Sequence, residues 1–177
     1  MKRWILLGCA ALAAAGVGHL VAIGLVPRVI MGVAMERVAE QAGGWNKLFH
    51  APMVTADSQR IVRSSPDLAY STCALDLTDG PVRFAFTRDE GTAYASVAIY
   101  GANTDAVFVR NDREIPASGL RLLIVGPRSP VAARPDEITV SVPSSKALVL
   151  VRRLAPDTDA FARVDSRRRT DSCMQVK

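Results

Sequence analysis

The chain has 177 residues, 49% of them hydrophobic, and carries 22 Lys and Arg against 17 Asp and Glu, a net charge of +5. The basic excess does not point to nucleic acid. Arginine supplies 18 of the 22 basic residues, no aromatic-interleaved basic stripe or helix-turn-helix pattern appears, and only Arg167, Arg168 and Arg169 form a dense cluster. That cluster reads as a solvated helix end, the other reading being contact with anionic lipid headgroups.

Residues 4–26 follow Lys2 and Arg3 and contain one polar side chain, His19, and no formal charge. As a helix this run is about 35 Å long, enough to cross a hydrocarbon core of about 30 Å. A cleaved signal peptide has small-x-small sites at residues 11–13 and 13–15, but apolar sequence continues about ten residues past them. A lipobox reading of Leu6-Leu7-Gly8-Cys9 leaves only residues 4–7 as the apolar region, against the roughly 7–15 that such a signal needs. An uncleaved signal anchor fits best. Its basic end faces the cytoplasm and the bulk of the chain faces the periplasm. That expectation places the protein in a bacterial inner membrane, single-pass, with the domain outside. About 130–150 residues remain for one soluble domain.

Pro27 is expected to end or kink this helix. The spacing then predicts a helix over 28–42 with Val29, Ile30, Val33 and Ala34 on one side and Glu36, Arg37, Glu40 and Gln41 polar. Gly43-Gly44 supplies its C-cap. Trp45 and Phe49 are an aromatic pair at headgroup level or at the base of the domain, and residues 50–68 read as an extended loop with Pro52 and Pro66.

From Tyr70 the period changes to two. Alternation predicts strands near 70–77, 82–87, 93–100, 106–110, 120–124, 138–142 and 147–154, separated by turn chemistry such as Asp79-Gly80-Pro81 and Pro143-Ser144-Ser145. About seven short strands with no strand-helix alternation predict a mainly β, antiparallel β-sandwich or jelly-roll-like domain. Thr158 is placed to cap a last helix over 159–168, with Asp first and Arg last.

Cys73 and Cys173 both fall in the exported part, where an oxidising compartment makes a disulfide the default. Cys73 shares a strand face with Leu75 and Leu77, which suits a buried bridge better than an activated thiolate. Zinc needs three or four ligands and only His50 accompanies the two cysteines, so no metal and no cofactor is expected. A Ser-His-Asp triad would have to use His50 without any nucleophile-elbow motif. Asp67, Asp76 and Asp79 could pair as acid and base only within about 5–9.5 Å of one another. Asp79 is better explained as a turn residue before Gly80.

The stretch 65–86, with Pro66-Asp67, Tyr70, Leu75-Asp76-Leu77 and Gly80-Pro81-Val82, resembles the signature of the bacterial domain-of-unknown-function family 1254. Val97-Ala98-Ile99-Tyr100 with Asn103-Thr104, and Leu123 through Gly126-Pro127, fit the same pattern. The resemblance implies an envelope protein with one anchor helix, a small β-domain and a C-terminal helix bearing Cys173. It brings no catalytic set. Gly101 stands where members usually have Asp after the Tyr.

These readings divide the chain into an anchor at 1–27, an amphipathic helix and linker at 28–68, and a β-sandwich with a C-terminal helix at 69–177. The one candidate surface patch is Asp67, Tyr70, Asp76 and Asn103. The expected role is a non-enzymatic accessory module that binds the membrane and another membrane or envelope protein. The alternatives are a small hydrolase or lyase using Asp67, Tyr70 and Asp76, and a sandwich that carries lipid or another small ligand.

Overall fold

The computed structural model describes residues 2–55, 64–88, 94–128 and 132–176. Ala93, expected to open a strand, and the middle of the expected 50–68 loop lie outside the described residues. Helix α1 spans Lys2–Ala42, and strands β1 (Leu48–His50), β2 (Leu68–Asp76), β3 (Val82–Phe86), β4 (Ala95–Gly101), β5 (Ala106–Asn111), β6 (Leu120–Val125), β7 (Ile138–Ser141) and β8 (Lys146–Leu154) follow. Helix α2 (Thr158–Arg168) and strand β9 (Ser172–Gln175) complete the chain.

The strands form two sheets. One is antiparallel with order β1-β2-β8-β4-β5; the other has order β7-β6-β3-β9 and is antiparallel except for β6 with β7. Period-two alternation sends Cys73, Leu75, Val97, Ile99, Val149 and Val151 of the first sheet into the space between the sheets. Val82, Phe84, Phe86, Leu122, Ile124 and Val140 of the second meet them there. The fold is thus the expected mainly antiparallel sandwich, with its core where the alternation put it.

Four expectations change. Pro27 does not end α1. The helix runs through it for 41 residues, about 60 Å. Pro27 gives up the N–H that would bond the fourth residue back, and its ring crowds that residue's carbonyl, yet the helix continues. Second, the apolar side of Val29, Ile30 and Val33, which could lie on the membrane surface or pack on the domain, does not pack on it. Met31, Met35 and Ala39, spaced by four, are buried against Ala74, Tyr100 and Leu148 on the outer face of the five-stranded sheet. Third, Leu48–His50 is strand β1, registered Leu48 to Cys73 and His50 to Ser71. Three residues are too few for a period to show. Fourth, Cys173 lies on β9 rather than on the last helix, and the cap of α2 is Asp157, whose carboxylate accepts from Ala160 N at 2.7 Å.

Helix α1 ends as its glycines require. Gly43 has φ +73°. Gly44 N donates to Ala39 O at 2.8 Å and Gly43 N donates to Glu40 O at 3.1 Å, the paired bonds of a Schellman end. Asn46 then turns the chain into β1. Its side chain accepts from Asp76 N at 2.9 Å and donates to Asp76 O at 3.0 Å, so an amide side chain extends the ladder beside β2.

Candidate functional site

The four patch residues do not converge. Asp67 is exposed, and its carbonyl accepts from Ala155 N at 2.7 Å. The Tyr70 hydroxyl accepts from Ser65 N at 2.8 Å. Asp76 lies six residues along the same strand, about 20 Å away at roughly 3.3 Å per residue. Its carboxylate accepts from Thr78 N at 3.0 Å, and it stands opposite Lys146. Burial would raise the Asp76 carboxyl, but the Thr78 hydrogen bonds and the Lys146 charge outweigh it and hold it below the ordinary 3.8. Asn103 sits in the turn after β4, its amide donating to Asp105. The two carboxylates lie at opposite ends of β2, too far apart to share a glycosidic or ester bond.

The structure instead gathers three clusters, two of them unannounced by the sequence and the third the expected Cys73–Cys173 pair. In the first, His50 Nδ1 lies 2.8 Å from Ser71 Oγ across the β1–β2 pair. Arg168, at the end of α2, donates to Tyr70 O and Ala51 O at 2.7 Å each and to Asp165. Only Arg168 of the arginine cluster falls four residues after the buried Val164, and it is buried, so the solvated reading fails for it. Burial, with Arg168 and Arg169 next in weight, holds the His50 imidazole below its ordinary 6.5, against the pull of Asp165. Burial would raise the Asp165 carboxyl; hydrogen bonds from both arginines hold it below 3.8. Ser71 is itself buried, and Asp165 is turned to the arginines. The pair has a base and a hydroxyl, with the hydroxyl buried.

In the second cluster, Arg153 continues the inward series Ala147, Val149, Val151 on β8 and lies buried over the Phe86 ring, 4.1 Å from its centroid. It pairs with Asp171 and donates to Thr87 O at 2.8 Å. The parity of β8 was the readable signal, since it put a guanidinium on the core face. In the third, the Cys73 and Cys173 sulfurs lie 2.10 Å apart, with Cα atoms 6.8 Å apart, joining β2 of one sheet to β9 of the other.

The signature segments meet at one end of the sandwich. A Cβ on Gly126 would lie 2.9 Å from Leu77 Cβ, so only glycine lets β6 approach there. Leu77, Thr78, Pro127, Arg128 and Ser145 line a shallow cleft at this place. Among the described residues, no group of three or more His, Cys, Asp or Glu side chains is placed to hold a metal ion.

Residues 45–174 match the family described as "Protein of unknown function (DUF1254)". The chain belongs to the DUF1254 family. The match runs from before β1 into β9 and covers both ends of the leading signature. Among solved structures, this DUF1254 protein is similar to the VPA0106 protein from Vibrio parahaemolyticus, with 13% identity and a TM-score of 0.64 over 89% of this chain and 38% of that one. At that identity the likeness shows the fold alone. A protein from Burkholderia cenocepacia described as uncharacterized has 20% identity and a TM-score of 0.45, over 86% of this chain and 39% of its own. The DUF1254 chain thus spans under two fifths of each of these structures. No curated protein matches it.

Proposed function

We propose that this DUF1254 protein is a membrane-anchored, non-enzymatic accessory module whose β-domain faces the periplasm and binds another envelope protein. The observation that carries the reading is α1, one helix long and apolar enough to cross a membrane that passes without a break into the domain. Lys2 and Arg3 at its start favour a cytoplasmic N-terminus. The titratable groups support the non-enzymatic part. Asp76, Asp165, Arg168, Arg153 and Asp171 are each engaged with backbone or with one another in ways that hold strands and α2 together. The space between the sheets is filled by the side chains of the core, which favours a partner-binding surface over ligand carriage.

The test uses the full chain in its native membrane. A reporter active only outside the cytoplasm, fused after Lys177, is expected to work, and in-membrane crosslinking is expected to recover one defined envelope protein. Activity of a cytoplasm-only reporter at that position overturns the orientation. Turnover of a substrate by the purified chain, lost in Asp76→Ala with the fold intact, overturns the non-enzymatic reading.

A further inference from the structure

We infer that the β-domain is seated directly on the lipid headgroup layer, with the apolar residues Val29, Ile30 and Val33 of α1 immersed in it. This rests on the anchor reading above and adds where the water boundary falls.

The charge-free run ends at Val26, yet the apolar surface of α1 does not. On the side of the helix turned away from the domain, Val29, Ile30 and Val33 are 62%, 61% and 44% exposed. The same side changes to Glu36, Arg37 and Glu40, all exposed, within one turn. Water therefore begins between Val33 and Glu36, about 10 Å along the axis beyond Val26. Three β-branched side chains on a surface facing water would be an apolar patch without a partner. Because they continue the spanning surface of the same helix, lipid is the medium that covers them.

Arg28 is the one charge inside this stretch. Its guanidinium donates to Gly24 O one turn back along the helix, so its charge sits against backbone rather than extending freely.

Met31 fixes the consequence. It is buried against the domain, and it precedes Val33 in the helix. Docking of the domain thus starts on the membrane side of the polarity boundary. From Val26 to Met31 the helix rises about 7.5 Å, and a headgroup layer is itself about 5–7.5 Å thick. No length of chain separates lipid from domain.

The experiment uses the full chain with Cys9→Ser, leaving Cys73 and Cys173 in place. Single cysteines at Leu12, Ile30, Val33 or Glu40, all exposed positions, carry an environment-sensitive fluorophore. The proteins are reconstituted in phosphatidylethanolamine–phosphatidylglycerol vesicles containing nitroxide-labelled lipid. Labels at Leu12, Ile30 and Val33 are expected to be quenched about twofold or more relative to Glu40, as groups at or below the headgroup boundary are. Quenching at Leu12 alone, with Ile30 and Val33 behaving as Glu40, overturns the seating and leaves the anchor standing. Absence of quenching at Leu12 as well overturns the anchor reading and the seating with it.

Discussion

Arg153 of β8 and Asp171, the residue just before β9, grip each other at two points inside the sandwich, Nη1 to Oδ2 at 2.8 Å and Nη2 to Oδ1 at 2.9 Å. Neither side chain is more than 1% exposed. Three residues earlier Arg168 holds β1 and β2, and two residues later Cys173 meets Cys73. The last ten residues are thus fastened at three successive points, twice to β2 and once to β8.

Removing Asp171 leaves a guanidinium buried without its counter-charge. Asp171→Ala is expected to lower unfolding free energy by about 3–5 kcal/mol. Adding Arg153→Met is expected to return part of that loss, because a buried ion pair is worth little more than an apolar pair of similar shape. Denaturant unfolding of the full chain in detergent measures both. A loss below about 1 kcal/mol for Asp171→Ala would refute the buried-charge account.

The sulfur pair closes a loop of sequence separation 100 between the two sheets. In the chain-entropy model a bridge there stabilises by about 4–5 kcal/mol, a large share of a domain's usual 5–15. Cys173→Ser is expected to lower Tm far more than Cys9→Ser does. Intact mass after alkylation without reductant should show one free thiol, that of Cys9; three would show that the bridge does not form.

Arg168 spans the carbonyl of Ala51, just past the end of β1, and that of Tyr70 in β2. Lysine offers one ammonium in place of the planar fork. Arg168→Lys is expected to cost about 1.5–3 kcal/mol, since bonds from charged donors to buried acceptors are among the stronger ones. Amide exchange at Ala51, whose N–H also donates to Tyr70 O at 3.0 Å, should quicken in the variant. Unchanged exchange there would show that the fork does not hold β1.

His50 gives the domain a pH dependence of known sign. Its folded imidazole is harder to protonate than the ordinary 6.5, through burial first and then the Arg168 and Arg169 charges. The unfolded chain therefore takes up this proton at higher pH than the folded one. The contribution is complete above pH 6.5 and is lost as pH falls below it toward the lowered folded value. Stability profiles of the parent chain and His50→Gln should differ in slope just below pH 6.5, with the parent the steeper. Equal slopes would assign the acid sensitivity elsewhere.

The sandwich was legible because alternation is a local signal: all seven strands from β2 to β8 lie where residues of period two place them. Strands β1 and β9 were not, being three and four residues long and defined by partners in distant sequence. The docked face of α1 was not legible, because Val29, Ile30 and Val33 look more core-like than Met31, Met35 and Ala39. Hydrophobicity cannot tell a residue that faces protein from one that faces another apolar medium. The Cys73–Cys173 pairing followed from a count of two. Arg153, Arg168 and Asp171 escaped because a charged residue is read as solvated until its partner, up to 117 positions away for Arg168 and Ala51, is known.

The unbroken course of α1 through Pro27 makes the apolar segment and the sandwich a single lever. Turning the first about its axis swings the second by the same angle. Any neighbour that turns the apolar segment therefore also turns the outer edges of the five-stranded sheet, β1 and β5. The contact of Met31, Met35 and Ala39 with the outer face of that sheet is what couples the two movements.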